Sequence, residues 1–541
     1  MLTRKCAFVC LMVIAIAGIG APALAFDAGT FLRELEDSAR ENGNSFNYGA
    51  LEDAADGSFT LKSVEIANTE DNYTITIESL SFDNGSYIGP DGLEFDGMDA
   101  VNFRQEGTEK DGEKYVVTAA QMSAEDFSLP NLGDMDNPLW PADVGRLELV
   151  DVTINSVEDD GKTTIHTPGL VLEDLEATTG NNFLLGSFSM EPATGKVLQA
   201  EENLDIGFEG LRLSGVEHFG KTGLEVSEFD LGSLQVKGKD EKGEDLDIRF
   251  GGMSIDNLYV ADPTVTNRPL LSDKAMSMDI SGMDARYNGK SFFGWEGGYG
   301  TYTYEPESKT GVGDGKISNI FIDFSAAPME PHERKNLEQL KALGYEKLAM
   351  NIEGIGSWSL DSGRLNMDRY RFEFVDAGAI ELNMQIDGYT EDVARNFSKI
   401  ANDVNLETDP EKKEFKSMQM LAALTSLSIN GLQISVEDAS LLNKVLAFQA
   451  QKMQQEPQQL AQMVGPMASI MLAPYNIPEF AASISAALSK FMQGNKTITV
   501  AAKPNNGLVI TEIISLASAV QAGQVSPADI IERLNLTVTA R

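Results

Sequence analysis

Residues 427–436 read LSINGLQISV. Apolar residues alternate through Leu427 and Ile429 and again through Leu432, Ile434 and Val436, but Asn430-Gly431 inserts one residue more than alternation allows. Side chains on a strand point to opposite faces in turn, so an added residue throws every later side chain to the wrong face unless the backbone absorbs it. Five other stretches carry the same step: FDGMDA from Phe95, FEGLRL from Phe208, FGGMSI from Phe250, ISGMDA from Ile280 and IEGIGS from Ile352. A β-bulge at the x-Gly pair would absorb the extra residue while bending the strand. A two-residue hairpin turn would also keep the flanking residues on one face. YNGK at 287–290 follows ISGMDA so closely that two turns would leave very short arms, which favours the bulge. Gly97, Gly210, Gly252, Gly282, Gly354 and Gly431 are therefore expected as structural strand steps.

Around these steps the chain reads as α+β, mainly antiparallel β. The expected fold is a long curved, bulged β-meander with an N-terminal helix and a C-terminal helix-rich α+β region. TFLRELEDSAREN (30–42) places Phe31, Leu35 and Ala39 at helical spacing, with Thr30 as the candidate N-cap. From Phe59 to Phe324 period-two runs such as Tyr73-Ile75-Ile77 dominate. They are separated by EKDGEK (109–114), EDDGK (158–162), KDEKGED (239–245), YNGK (287–290) and VGDGK (312–316), read as turns. The texture changes near Ala327: a helix is expected over 328–344, then two strands, and after Thr390 helices interleaved with returning strands. The domains expected are 1–25, 26–326 and 327–541.

Arg4 and Lys5, an apolar run from Cys6 to Gly18 and Ala23-Leu24-Ala25 read as a cleavable signal peptide, so the mature chain is expected to begin near Phe26. The expected location is periplasmic, with an extracellular destination as the other outcome of export. No later apolar run is long enough for a transmembrane span. The only cysteines, Cys6 and Cys10, lie in this leader, which excludes disulfides, Cys-based zinc sites and thiol nucleophiles from the mature chain. The formal charge of -41, with 83 acidic against 42 basic residues, repels nucleic acid. The acidic residues are spread rather than grouped into a calcium-binding loop.

Catalytic patterns are missing from the sequence. His166, His218 and His332 lie on separate elements without metal-ligand spacing, and no G-x-S-x-G elbow or phosphate loop is present. GVGDG at 311–315 reads as a turn. Two apolar stretches stand out instead. SFFGWEGGYGTYTYEP (291–306) offers Phe292, Phe293 and Trp295, and 460–480 places Met463, Met467 and Met471 at i, i+4, i+8 on a nearly uncharged segment. Either could meet an apolar ligand or partner, and either could be ordinary core packing.

The export segment, the following helix, and long meandering strands with ISGM- and INGL-like steps over about residues 59–390 resemble the AsmA-like and YdgA-like bacterial envelope proteins. That resemblance implies a β-sheet groove with an apolar interior that carries lipid between membranes, and it carries over no functional residue. A cleavable leader in place of a membrane anchor departs from the pattern. The expectation is thus a non-enzymatic envelope protein without cofactors, whose sheet shields or binds lipid. The alternatives are a structural or protein-binding envelope factor with the sheet face self-packed and, third, a secreted hydrolase.

Overall fold

The computed structural model describes residues 26–541 apart from 42, 55, 69–71, 89–91, 110–111, 130–141, 159–160, 179–181, 200–202, 221, 241, 263, 266–267, 329–336, 339, 408, 424, 426, 495 and 522–523. The leader expected at 1–25, His332 and most of the helix expected over 328–344 lie outside the described residues. The chain divides into two compact units at Asp262. This is earlier than the change of texture at Ala327, because the strands before that point pair onward with those after it.

In the first unit, helix α1 (Ala28–Glu41) precedes β1 (Asn44–Asn47), β2 (Ala50–Asp53), β3 (Phe59–Asn68), β4 (Tyr73–Asp83), β5 (Ser86–Ile88) and β6 (Gly92–Thr108). Then come β7 (Lys114–Leu129), β8 (Ala142–Glu158), β9 (Gly161–Thr178), β10 (Asn182–Met190), β11 (Ala193–Gln199) and β12 (Asn203–Phe208). The unit ends with β13 (Leu211–Phe219), β14 (Gly223–Leu231), β15 (Leu234–Lys239), β16 (Asp245–Phe250) and β17 (Met253–Val260). The pairings are antiparallel, as the alternating patterns and short connections require. Asp27 rather than Thr30 caps α1: the Thr30 backbone N–H donates to Asp27 Oδ1 at 2.6 Å. That bonding to Thr30 holds the Asp27 carboxyl below its ordinary range.

β6 shows how the extra residue is absorbed. Its buried residues are Leu93 and Phe95, then Met98 and Ala100, then Phe103 and Gln105, so the alternation skips one residue at two places. On β7 the buried set is Val117 and Ala119, then Met122 and Ala124, then Phe127. Register is the same on both sides of the step, since Phe95 faces Phe127 and Gly97 faces Glu125, which leaves Asp96 opposite Asp126. Each strand therefore carries its own extra residue. These residues form a row across the sheet, left-handed on alternate strands: Asn84 (φ 49°), Asp126 (49°), Asp174 (54°), Gly215 (55°) and Asn257 (54°). Between them stand Asp96, Gly145, Gly186 and Ser227. A second row carries Ser63 (φ 55°), Asn102 (54°), Asp151 (56°), Gly210 (114°) and Gly252 (112°).

In this unit the expected bulge is corrected. A bulge sets two residues against one, whereas here the count matches on both strands, and the step is a crease shared by the whole sheet. Gly97 lies beside the first row, and Gly210 and Gly252 lie in the second. Left-handed backbone costs most residues about 1–2 kcal/mol, and Asn, Asp and Gly the least, which explains the left-handed places of both rows apart from Ser63. Outward side chains tie the rows together: Asn84 Nδ2 donates to Asp96 Oδ2 at 2.6 Å, and Asn102 Nδ2 donates to Glu78. Residues from all three panels of β6 join one core with Phe31, Leu32 and Leu35 of α1. The sheet therefore folds along the creases to wrap the helix.

The second unit holds β18 (Met276–Tyr287), β19 (Lys290–Glu305), β20 (Thr310–Asp323), β21 (Lys347–Ser359), β22 (Arg364–Phe374) and β23 (Gly378–Asp387). Helices α2 (Glu391–Leu406) and α3 (Pro410–Ala423) lead to β24 (Ser428–Asp438). Then follow α4 (Leu441–Met453), α5 (Pro457–Leu472), α6 (Pro478–Met492), β25 (Thr497–Ala502) and β26 (Leu508–Val509). Helices α7 (Ile510–Gln521) and α8 (Pro527–Leu534) precede β27 (Leu536–Ala540). A capping box, Ser526 with Asp529, opens α8.

Here the steps do include bulges. Ile429 faces Ile386 and Gly431 faces Gln385, so Asn430 is the unpaired residue of a β-bulge, as LSINGLQISV suggests. Ser318-Asn319 likewise stands against Asn351 alone. Gly282 is different, since pairing keeps one register from Ser281 to Met283. Gly354 is in register with Tyr370, and the slip falls one residue later, between Ile355 and Gly356. Two further expectations are corrected. GVGDG and VGDGK lie inside β20 rather than in a turn, the turn being at 306–309. The region expected as two strands after Gly344 forms three, because Asp376 (φ 59°) turns the chain between β22 and β23.

Two substitutions test the creases. A Cβ on Gly210 would sit 2.7 Å from Met190 O in backbone at φ 114°, and one on Gly252 2.6 Å from Leu231 O. Gly210→Ala and Gly252→Ala are each expected to lower unfolding free energy in urea by about 1–3 kcal/mol. Asn102→Gly should be near neutral while Asn102→Val costs at least about 1 kcal/mol; equal effects of the two would contradict a left-handed role for position 102.

Candidate apolar groove

The face wrapped around α1 continues along the first unit, but its cover does not. From β3 to β8 most inward residues are buried in one core with α1, whose Phe31 joins Phe26, Phe59, Phe82 and Phe95 in an aromatic cluster with ring centroids 4.9–6.4 Å apart, and on β9 Leu170, Leu172 and Leu175 are partly buried. On β10 and β12–β15, Phe183, Leu185, Phe188, Ile206, Phe208, Leu213 and Val236 on the same face are only half-buried and Leu234 is exposed, while Val216 and Val226 among them are buried. Polar residues such as Asp205, Glu228, Asp230 and Lys237 alternate with them and are exposed on the other face. The sheet is amphipathic along its length, and only its N-terminal part carries a helix on the apolar face.

The second unit has a similar face of its own. Cross-strand pairing sets Tyr370, Leu382, Ile434, Val500 and Val538 in one line, and Phe372, Ile380, Val436, Ile498 and Ala540 in the next. Ile380, Ile434, Val436 and Val500 are 40–43% exposed although they lie in the middle of paired strands. The opposite face is ionic: Arg371 reaches Glu437 at 2.9 Å and Arg369 reaches Glu353 at 3.2 Å. Apolar groups in contact with water and charged groups paired behind them give this sheet a defined sidedness.

Glycines deepen the floor at the β19–β21 end. Gly300 faces Gly315, Gly315 faces Gly354 and Gly313 faces Gly356, so part of this face has no side chains. Aromatic rings lie over the vacancy: a Cβ on Gly354 would meet the Tyr370 ring at 3.3 Å, and one on Gly311 would collide with Tyr302. This packing explains why GVGDG is strand rather than turn. The Tyr302 hydroxyl is buried without a hydrogen-bond partner, and burial pushes its pKa up to about 12.

Of the residues singled out by sequence, Phe293 and Trp295 fall on this face, opposite Ala285 and Met283, with rings 6.1 Å apart. The Trp295 indole donates to Ser281 O at 3.0 Å. Phe292 belongs to the opposite face by alternation. Met463, Met467 and Met471 lie elsewhere, on α5, where all three are exposed. They are surface rather than core. Of the histidines, His166 Nδ1 lies 3.5 Å from Asp151 and 3.3 Å from Thr153 Oγ1. Both contacts use one nitrogen, so the group cannot relay a proton from the threonine to the carboxylate. His218 stacks on Phe183 at 5.4 Å. Among the described residues no cluster of three or more histidine, aspartate or glutamate side chains could hold a metal ion.

The glycine pattern selected only part of the residues that shape the groove, Gly210 and Gly252 at a crease and Gly431 at a bulge. The better signal is an Asn or Asp directly before a large inward residue: Asn102-Phe103, Asp126-Phe127, Asp151-Val152, Asp174-Leu175, Asn257-Leu258 and Asn319-Ile320. In each pair the first residue is left-handed and the second resumes the inward face.

A family model described as "Uncharacterized protein" matches residues 371–541, from within β22 to the end of the chain. No curated protein matches the chain.

Tyr302→Phe is expected to leave stability at pH 7 unchanged or raise it by up to about 1 kcal/mol, since the buried hydroxyl has no partner to lose. The pH dependence follows from the raised pKa. An unfolded tyrosine ionises near 10 while Tyr302 holds its proton to about 12, so its contribution is complete below pH 10 and declines as pH rises to 12. Alkaline unfolding curves should show Tyr302→Phe gaining on the parent across that window.

Proposed function

We propose that the protein is a non-enzymatic, exported envelope factor that holds the acyl chains of lipid on the apolar face of its sheet. The observation that carries this reading is the exposure of Ile380, Ile434, Val436 and Val500 in the interior of a paired sheet. Withdrawing such a side chain fully from water contributes about 1.5–3 kcal/mol, so an acyl chain laid along the two apolar lines gains in proportion to their open area. Nothing in this role requires directional groups. Rows of aliphatic side chains on β23 to β25, beside glycines covered by tyrosine rings, suit a flexible chain better than a polar small molecule, which needs placed donors and acceptors.

A second reading, a structural or protein-binding factor whose sheet face is filled from within, is favoured by α1. That helix joins one core with the inward residues from β3 to β8, and the inward leucines of β9 are partly buried against it. The two readings apply to different stretches: a self-packed end beside an open one. Export to the periplasm rests on the leader sequence, and the curved groove rests on the creases and bulges. Among the described residues no helix is long and apolar enough to cross a membrane.

Mass spectrometry of an organic extract of the purified protein is expected to find phospholipid. Ile434→Asp with Val436→Asp, both at exposed positions, should strip most of it while leaving the circular dichroism spectrum unchanged. An extract of the parent protein free of lipid would refute the groove. Export has its own check: N-terminal sequencing of the protein recovered from the periplasmic fraction should begin at Phe26.

A further inference from the structure

The helical excursion between β24 and β25 is built differently from the rest of the chain. Helices α5 and α6 form a hairpin whose closest contacts are made by small residues. Ala461, Gly465, Ala481 and Ala487 are buried, Ser469 Oγ donates to Ala481 O at 3.4 Å, and a Cβ on Gly465 would collide with Ser489. Part of the large apolar surface points outward, with Ile470 and Met471 each 72% exposed and Met467 and Tyr475 more than half exposed, while Ile477 is buried and Leu460, Val464, Phe480, Ile484 and Leu488 are half-buried. An exposed apolar face of this kind, concentrated on α5 and the turn after it, marks a contact with a membrane or a partner.

Of the two, the charge pattern favours the membrane. No charged residue occurs between Glu456 and Glu479, so α5 and the turn after it are uncharged, and the exposed Glu479 in the first turn of α6 is the carboxylate next to the tip. Residues 441–503 carry five lysines against two glutamates, a net of +3 within a chain of -41. Lys452 and Lys490 stand near the base of the hairpin, toward the start of α5 and the end of α6, away from the tip. An apolar tip with lysines behind it matches the order of acyl chains and phosphates in a bilayer surface. The length of α5, 16 residues, corresponds to about 24 Å of helix, short of the ~30 Å hydrocarbon core.

We propose that the α5–α6 hairpin docks the protein on the surface of an anionic bilayer, inserting Met467, Ile470, Met471 and Tyr475 among the acyl chains with Lys452 and Lys490 at phosphate level. It enters the interface and does not span it. This surface is distinct from the sheet face, so the two proposals can fail separately.

Flotation of the full chain with vesicles decides it. The protein should rise with phosphatidylcholine vesicles containing about a third phosphatidylglycerol, and Ile470→Asp with Met471→Asp should reduce the bound fraction at least tenfold. Both positions are exposed, so folding is unaffected and the double variant keeps its co-purifying lipid. Lys452→Gln with Lys490→Gln should weaken binding to the anionic vesicles and not to pure phosphatidylcholine. Ile434→Asp with Val436→Asp, which empties the sheet, should float normally. Failure of the parent to float, or equal flotation of the Ile470/Met471 variant, would overturn the proposal. A concentration-dependent dimer abolished by the same pair, without flotation, would assign the surface to a second copy of the chain instead.

Discussion

The architecture depends on one stereochemical constraint. A strand that must keep a single face apolar while changing direction has to gain a residue at each bend, and that residue must adopt backbone that most side chains resist. In the first unit the gain occurs on each of β6 to β9 at the same levels, so none of these strands is out of step with its neighbour. Asn, Asp and Gly occupy the alternate left-handed places, and the residues facing them are small or are hydrogen-bonded partners. The second unit uses a different solution at Asn430, a bulge that leaves one residue unpaired. Both keep the apolar series unbroken.

Much of this was legible in the sequence, because period-two alternation and Asn-Gly turns are local signals. The antiparallel meander, the N-terminal helix, the helix-rich C-terminal region and the bulge in LSINGLQISV all follow from patterns a few residues long. What escaped was the alignment of steps between strands. Asp126 and Asp174 look like ordinary solvated carboxylates until pairing places them in one row. GVGDG was misread for a related reason: its glycines answer to Tyr302 on the neighbouring strand, a partner that no local rule can see. Leu508–Val509 shows the same limit in reverse, since NGLVITEI alternates like a strand but becomes helical at Ile510.

The candidate surfaces were legible as composition and not as position. Met463, Met467 and Met471 suit a core as well as a surface, and only their placement on an outward helix face separates the two. Phe292 and Phe293 are neighbours in sequence but occupy opposite faces of the sheet. Exposure of aliphatic residues inside a paired sheet is likewise a property of what fails to cover them, which no single strand encodes.

The matched creases also bear on how such a sheet could change over time. Because the long strands β6 to β9 each bring their own extra residue at both levels, adding or removing a hairpin of that kind leaves the register intact across both creases. Length and bore are thus inherited separately: one is set by the number of hairpins, the other by the number of residues between the two rows. A gene encoding this unit could lengthen by duplication in small increments without redesigning the core around α1.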